Sequence, residues 1–309
     1  MLKSMIKNSD LWKNKSLYLM ILPAALLLFL FAYLPLPGSI VAFKKYNFRD
    51  GIFGSPWVGW ENFRFYVTSG YMWRTTWNTL WINFNSLLFG TLIAVTFAIL
   101  LNEVANKPLR KLYQNFMFLP YFISFIVVAE FVRMLFSNKY GYVNGMLGFF
   151  GQTPVDWYIS PQYWVKIIVG TQLWKTTGYT VVIYLAAITG IDAELFEAAA
   201  LDGASRLQEI FHIMLPMLLP TIFTLALLEI GTIFFGNFQL IYSIVRNDHG
   251  ILYSTTDIID TYVFRTLRDQ YASISVASAA GLYQSVCGFF FVFGSNALVK
   301  KYDKSYALF

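Results

Sequence analysis

Six long apolar runs constrain this chain more than any other feature of its sequence. Each run reaches or exceeds the roughly 20 residues that a helix needs to cross a hydrocarbon core. Backbone groups in lipid must bond within the protein, and the runs lack the strict alternation of barrel strands, so each run predicts a helix. The chain is therefore predicted to be an all-α membrane protein with six transmembrane helices, near residues 17–43, 80–101, 113–136, 164–189, 213–245 and 273–299.

The composition supports a membrane protein and excludes several other classes. Of the 309 residues, 57% are hydrophobic and 13% are charged, against roughly 25% charged residues in an average soluble domain. The formal net charge is +6, and the basic residues fall in predicted loops and tails, where membrane lipid rather than nucleic acid is the expected partner. The single cysteine, Cys287, excludes an intramolecular disulfide.

The distribution of Lys and Arg predicts the orientation of the chain. With both termini in the cytoplasm, the inner segments hold eleven of these residues and the longer outer loops hold nine, which agrees in direction with the positive-inside rule. The first run passes Tyr33 without a small-residue cleavage site, so it predicts a retained span, with a break at Pro35 and Pro37. The predicted organisation is a cytoplasmic N-terminal segment, a six-span membrane domain and a cytoplasmic C-terminal tail, over residues 1–16, 17–299 and 300–309.

A polar segment between the fourth and fifth runs predicts a helix, a tight turn and a second helix. Asp192 is suited to cap the first helix, and Gly203 interrupts the helical pattern. Ser205 and Gln208 stand at the spacing of a capping box that starts the second helix, which is expected to bend at Pro216 as it enters the fifth run. The predicted orientation puts this segment in the cytoplasm.

Two interpretations of the polar segment are open on its local chemistry. It is either a solvated connecting loop or a surface that another protein contacts. Ala198, Ala199 and Ala200 form a small, smooth helix face, and small residues allow another backbone to approach closely.

The spacing within this segment resembles the EAA signature of permease subunits in binding-protein-dependent ABC importers. The pattern reads Glu197-Ala198-Ala199, three residues, Gly203, nine residues, Ile213, one residue, then Leu215-Pro216. Similarity to the carbohydrate branch of that family extends over residues 75–300 and includes Asn78-Thr79-Leu80, Leu119-Pro120-Tyr121, Ile123-Ser124, Asp202-Gly203-Ala204 and Asn296. The stretches most similar to permeases for oligosaccharide and polysaccharide uptake are Trp174-Lys175 and Tyr184-Leu185-Ala186-Ala187.

The resemblance implies a type I ABC importer permease (MetI-like) fold in the bacterial cytoplasmic membrane. It implies that the segment at about 192–208 is a coupling helix seated in a cleft of a separate ATPase subunit. Glu197 would meet basic residues there, Gly203 would form the sharp turn, and Pro216 would pass the motion to the fifth span. The residues assigned to coupling in this way are Glu197, Ala198, Ala199, Asp202, Gly203 and Pro216.

The resemblance also implies the partners and the source of energy. These partners are a second homologous permease subunit, two ABC ATPase subunits, an extracellular solute-binding protein and a carbohydrate substrate. The chain contains no G-x-x-x-x-G-K-[ST] motif, so ATP and Mg are expected on the ATPase subunits and no cofactor is expected in this chain.

Motifs for enzymatic chemistry are missing, and one further functional class stays open. The two histidines, His212 and His249, lie far apart in the predicted topology, so neither a catalytic nor a metal site is expected. The leading hypothesis is a transport subunit of a sugar importer. The alternative is a membrane anchor or regulatory protein that docks an ATPase without moving solute.

Polar side chains inside the predicted spans are candidates for a substrate path, because each is costly in lipid and should face protein or water. Asn237 and Gln239 are surrounded by aromatic residues such as Tyr242, and amides beside flat rings suit sugar recognition. The alternative is that these rings face lipid. The path candidates are Asn83, Trp174, Lys175, Asn237, Gln239 and Tyr242.

Lys175 is the least expected of these candidates, since an ammonium lies about halfway along a predicted span. Its charge should be offset by a carboxylate such as Glu229, by backbone carbonyls, or by water and substrate, including an acidic sugar. The sequence leaves these three possibilities open.

Overall fold

Helices make up the fold, as the apolar runs predict. The computed structural model describes residues 14–245, 250–268, 273–302 and Ala307, and within these ranges its only β contact is an isolated bridge between Lys44 and Trp57. The prediction of an all-α membrane protein is confirmed. Most of the predicted N-terminal segment and of the predicted C-terminal tail lies outside the described residues.

The α-helices fall into two series along the chain. The first series is α1 (Lys15–Leu28), α2 (Gly51–Gly54), α3 (Glu61–Thr68), α4 (Tyr71–Asn102), α5 (Lys107–Phe118), α6 (Phe125–Leu135) and α7 (Tyr142–Phe149). The second series is α8 (Trp164–Thr189), α9 (Ala193–Leu201), α10 (Arg206–Glu209), α11 (Leu215–Gly231), α12 (Phe238–Val245), α13 (Tyr253–Thr256), α14 (Ile259–Arg268) and α15 (Ile274–Tyr302).

Four helical stretches in the described ranges are long and apolar enough to cross a membrane. They are residues 15–43, α4, residues 206–231 and α15. The bent pair α5 and α6 gives a fifth if it counts as one span. α8 has the length of a span, at 26 residues, but Lys166 and Lys175 make it less apolar. By length and composition, the structure therefore supports four or five of the six predicted spans.

The third predicted span is not continuous. α5 ends in a short 3₁₀ turn, Leu119–Phe122, and α6 then leaves at an angle of 97°. Pro120 cannot continue the amide ladder of α5, and Ser124 restarts the helix by accepting a hydrogen bond from the Val127 amide. The prediction of one straight helix over 113–136 is wrong for this reason.

The fifth predicted span is also interrupted. α11 ends at Gly231, and residues 232–237 form no helix before α12 begins at Phe238. The prediction of one helix over 213–245 is therefore wrong. At the other end of this run, helical structure passes without a break from Arg206 through a π-helical turn, Ile210–Met214, into α11. Pro216 follows that turn inside the continuous helix, and a local π-helical turn is one way in which a membrane helix accommodates a proline.

The packed core lies between α4 and α8. One buried cluster joins Ile82 of α4 to Trp164 and Ile168 of α8, and it continues onto α6 and α12. A second cluster joins Ala98 of α4 to Tyr184 of α8 and reaches the start of α11. By contrast, α1 buries no residue against the rest of the described chain. α4 and α8 therefore form the scaffold to which the other helices attach.

A buried carboxylate organises the short helices at one end of this scaffold. The side chain of Asp257 is fully buried and accepts hydrogen bonds from both Arg265 guanidinium nitrogens, at 2.9 and 2.7 Å. Arg74 of α4 donates to the same carboxylate at 3.1 Å, and the Asn78 amide donates to the Asp257 carbonyl. This network fastens α13 and α14 to the beginning of α4, which is where the predicted Asn78-Thr79-Leu80 motif lies.

Replacing Asp257 is expected to weaken this attachment. Asp257→Asn keeps the shape but leaves two guanidinium groups without a counter-ion, and removing one partner of a buried ion pair costs about 3–5 kcal/mol. The thermal unfolding temperature of the purified complex should fall. Asp50→Asn, at an exposed position in a loop, is the matched control. Partial recovery in the double variant Asp257→Asn/Arg265→Met is expected, and equal unfolding temperatures for wild type and Asp257→Asn would contradict the interpretation.

Candidate functional site

A polar cavity of about 570 Å³ lies midway along α4 and α8. α11 closes its third side, and both helix interruptions contribute to its wall, through Tyr121 on one side and residues 232–237 on the other. Irregular backbone at membrane depth is tolerated only where it is buried in protein or lines a water-filled cavity. The two interruptions and the cavity are therefore parts of one arrangement.

Lys175 stabilises the first interruption. Its ammonium donates to the backbone carbonyls of Tyr121 at 2.8 Å and Ile123 at 2.5 Å, and more weakly to that of Pro120 at 3.4 Å. All three carbonyls lie at the 97° bend, and that of Pro120 also accepts a hydrogen bond from the Ile123 amide at 3.1 Å. The ammonium also lies 4.7 Å from the ring centroid of Phe125.

This geometry answers the question that the sequence leaves open about Lys175. Backbone carbonyls offset its charge, and among the ion pairs of the described ranges none joins Lys175 to Glu229. The Lys175 side chain is buried, with 5% of the residue exposed. Its ammonium is committed to the bend between α5 and α6.

Gly178 explains why the bend can lie so close to Lys175. A Cβ atom at this position would lie 1.8 Å from the backbone oxygen of Met117, so only glycine allows the end of α5 to cross α8 here. Gly178 is less than one helical turn from Lys175. The close crossing therefore places the carbonyls of the bend within reach of the ammonium.

Side chains of three neighbouring helices stabilise the second interruption. Asn83 of α4 donates from its amide to the carbonyls of Ile233 at 2.7 Å and Phe235 at 3.0 Å. Gln284 of α15 donates to the Phe234 carbonyl at 2.7 Å. The Gly236 amide donates to the carboxylate of Asp260, whose pKa is raised by burial. Each break thus has its own polar donors from outside the broken helix.

Three polar atoms in the cavity wall are buried and have no hydrogen-bond partner. They are Ser86 Oγ, Gln172 Oε1 and Thr177 Oγ1. Most buried polar atoms in proteins are hydrogen-bonded, so a cluster of unpaired ones around a cavity marks a place that water or a polar ligand occupies. The wall also offers flat apolar surface, because the rings of Tyr121 and Tyr179 stack at 4.9 Å.

Sequence reasoning missed most of this wall. Gln172, Thr176 and Thr180 line the cavity from α8, and their spacing of four residues puts them on one helix face. That spacing inside an apolar run is a signal that could have identified them. Thr91 of α4 also lines the wall. Glu229 of α11 lines it as well, an acid already singled out from the sequence inside a predicted span.

The structure separates the six predicted path residues into three groups. Asn83 and Asn237 line the cavity, and Lys175 lies behind the wall at the first interruption. Trp174, Gln239 and Tyr242 are not among the lining residues. The ring of Tyr242 packs with its centroid 4.9 Å from that of Phe264 of α14, outside this cavity.

The coupling segment has the local structure that its sequence predicts. The Asp192 side chain accepts a hydrogen bond from the Glu194 amide at the start of α9, and Ser205 and Gln208 form the capping box of α10. Gly203 adopts a φ of +76° and turns the chain between the two helices.

No residue of the α9 helix is buried against the described part of the chain, and most of its residues are exposed, although Phe196 is half-buried and packs against the second core cluster. Leu201 at its end is 90% exposed, and Glu197, Ala198 and Asp202 are exposed as well. The docking interpretation of this segment stays a prediction.

Arg206 fastens the coupling segment to the end of α4. Its guanidinium donates to both carboxylate oxygens of Glu103, at 2.7 and 2.8 Å, and also pairs with Glu209 in the next helical turn. Bidentate pairs of this kind fix orientation as well as distance. Sequence reasoning counted Arg206 only as a cytoplasmic charge and missed this contact, because the two partners stand 103 residues apart.

Comparisons with known proteins give one consistent result. A family model described as the binding-protein-dependent transport system inner membrane component matches residues 86–304. Protein LplB of Bacillus subtilis (strain 168) is 33% identical over 94% of this chain and 91% of its own length. The polygalacturonan/rhamnogalacturonan transport system permease protein YteP of the same organism is 32% identical over 94% of this chain and 90% of its own length.

Solved structures agree with the sequence comparisons. A chain in the crystal structure of a bacterial ABC transporter involved in the import of the acidic polysaccharide alginate is 34% identical to this chain, with a TM-score of 0.85. The match covers 94% of this chain and 97% of that chain. A second crystal structure, of a bacterial alginate ABC transporter in complex with an alginate pentasaccharide-bound periplasmic protein, also has a TM-score of 0.85, covering 96% and 97% of the two chains.

Lys175→Met is expected to destabilise the first interruption. The substitution keeps the bulk of the side chain but removes the donor, and each carbonyl left unsatisfied in a buried site costs about 1–3 kcal/mol. The unfolding temperature of the purified complex should therefore fall. Lys166→Met removes an exposed ammonium from the same helix and should leave it unchanged. If both variants unfold at the wild-type temperature, the ammonium does not stabilise the bend.

Proposed function

The chain belongs to the family of binding-protein-dependent transport system inner membrane components, and we propose that it moves an oligosaccharide or polysaccharide through the cavity between α4, α8 and α11. It is the permease subunit of an ABC importer and a multi-pass protein of the inner membrane. The three unpaired polar atoms of the cavity wall carry the proposal for the substrate, since sugar hydroxyls both donate and accept hydrogen bonds. The stacked rings of Tyr121 and Tyr179 offer a surface for the apolar face of a pyranose.

The names of related proteins support a carbohydrate as the substrate. YteP is named for polygalacturonan and rhamnogalacturonan, and the similar solved transporter imports alginate. Asn83 and Asn237 are the predicted path residues that we assign to substrate contact, because both line the cavity. For Trp174, Gln239 and Tyr242 a substrate contact stays a prediction.

We propose six spans for the membrane domain, residues 17–299. Four stretches and the bent pair account for five, and α8 is the sixth, since Gln172 and Thr176 line the cavity and backbone carbonyls bind Lys175. An even number of spans puts both termini on one side, and the Lys and Arg distribution favours the cytoplasm. This topology places α9 and α10 in the cytoplasm, where an ATPase subunit can reach them.

The proposed energy source is ATP hydrolysis on separate subunits. Closure of two ATPase subunits, which hold ATP and Mg, would draw the coupling segments together and tip the spans between inward-facing and outward-facing states. In this chain Glu197, Ala198, Ala199, Asp202 and Gly203 form the contact, and Pro216 stands where the motion enters α11. Arg206 would pass the same motion to α4 through Glu103.

The proposed assembly includes a second homologous permease subunit and an extracellular solute-binding protein. α1 supports the first of these partners, because a span that buries nothing within its own chain is free to pack against another. The solved alginate transporter supports the second, since one of its structures contains a sugar-bound periplasmic protein.

Transport by the purified complex tests the proposed function. Lipid vesicles that contain the complex and its binding protein should take up sugar when ATP is supplied to the ATPase side, and the sugar should stimulate ATP hydrolysis. Docking of the ATPase subunits without uptake of any carbohydrate would favour the alternative of an anchor or regulatory protein.

Two substitutions in the coupling segment should uncouple transport. Gly203→Val forces a β-branched residue into a φ of +76°, and Glu197→Lys reverses the charge that faces the ATPase subunit. Both should leave membrane insertion intact and lower the rate of uptake by at least about tenfold, which corresponds to 1.4 kcal/mol.

The matched control is Gly190→Val. Gly190 ends α8 at a φ of −87°, which any residue adopts, and it is exposed at the same end of the molecule. Wild-type uptake by both Gly203→Val and Glu197→Lys, at equal membrane levels, would show that this segment only connects two helices.

A further inference from the structure

Glu229 places a carboxyl group in the cavity wall. It lies near the end of α11, and the described residues that line the cavity include no Lys, Arg or His and no second acid. Its neighbours in the wall include the hydroxyls of Thr91 and Tyr184. A carboxylate that faces a cavity without a cation attracts hydroxyl donors and repels a second carboxylate.

An ammonium lies behind the wall. Lys175 is not among the lining residues, and it donates to three backbone carbonyls at the bend between α5 and α6. The unpaired atoms of Ser86, Gln172 and Thr177 are neutral hydroxyl and amide oxygens. A hydroxyl group can bind to each of them, whereas none offers the positive charge that a uronic acid carboxylate requires.

We propose that Glu229 determines specificity, by making this chain's side of the cavity select neutral sugar units over uronic acids. The inference rests on the proposed function and extends it to a substrate class. The Glu229 carboxylate accepts hydrogen bonds from sugar hydroxyls. Its two oxygens are best matched by two neighbouring hydroxyls of the sugar. A carboxylate on the sugar would face Glu229 at short range in a partly dehydrated site, where repulsion between like charges is strong.

The proposed preference for neutral sugars differs from the substrates that are named for the relatives of this chain. Polygalacturonan and alginate are acidic polymers, and they are named for YteP and for the similar solved transporter. Similarity in sequence and fold therefore points toward an acidic substrate, and the charge of this cavity wall points toward a neutral one. Since the two indications differ, one experiment can separate them.

Uptake of matched sugar pairs by the complete complex tests the inference. The probes are an α-1,4-linked tetragalacturonide with its carboxyl-reduced galactose counterpart, and a mannuronate tetrasaccharide with its carboxyl-reduced mannose counterpart. In vesicles supplied with ATP, the wild-type complex should transport the neutral member of a pair faster. Glu229→Gln should shift the neutral-to-acidic ratio of uptake rates toward the acidic member by about tenfold, the effect of about 1.4 kcal/mol.

Comparing variant with wild type separates the sugar preference of the cavity from that of the binding protein. The same binding protein serves wild type and variant, so its own preference cancels when the two ratios are divided. Asp50→Asn removes a carboxylate at an exposed loop position outside the cavity and should leave the ratio unchanged. Thr180→Lys adds an ammonium to the α8 side of the wall and should shift the ratio in the same direction as Glu229→Gln, which gives an independent measurement if the first variant does not assemble.

The outcomes distinguish the inference from the proposed function. A neutral-to-acidic ratio that is the same in Glu229→Gln, Thr180→Lys and wild type overturns the selectivity of Glu229 and leaves sugar transport standing. A wild-type complex that hydrolyses ATP and takes up no carbohydrate at all contradicts the proposed function itself.

Discussion

The contact between the Lys175 ammonium and the carbonyls of Tyr121 and Ile123 stabilises the first of the two helix breaks that border the cavity. A membrane interior supplies no water to a broken helix, so every carbonyl freed by a bend needs a donor from the protein. Lys175 supplies that donor at the first break, and Asn83 supplies it at the second. Both breaks line the cavity. The cavity therefore depends on polar side chains whose first task is to satisfy the backbone.

α4 connects the three regions that matter for function. Near its start, Arg74 and Asn78 bind the buried Asp257 and its backbone, which holds the short outer helices. In its middle, Asn83 supports the second break and lines the cavity. At its end, Glu103 binds Arg206 of the coupling segment. Because one rigid helix carries all three contacts, motion of the coupling segment can reach the cavity without passing through a flexible loop.

Local structure could be predicted from the sequence wherever residues close together along the chain determine it. The Asp192 cap, the Ser205 capping box and the turn at Gly203 are confirmed, because each depends on residues within a few positions. Predictions of continuity failed in the third and fifth runs for the opposite reason. Hydrophobicity is the same on both sides of a break, and Pro120 permits a bend without fixing its angle. The partners that stabilise each break stand about 50 to 150 residues away.

The sequence by itself determined that the chain is helical and embedded in a membrane, and that a polar segment with its own caps and turn precedes its fifth apolar run. Length, composition and short-range spacing are sufficient for these features, since lipid and local capping act on any helix alike. Only the tertiary structure decided what Lys175 binds and which polar residues share the cavity. A buried charge binds whichever donor or acceptor the fold places near it. Gly178 lets the carbonyls of the bend lie close to Lys175, and within the described ranges no ion pair joins Lys175 to Glu229.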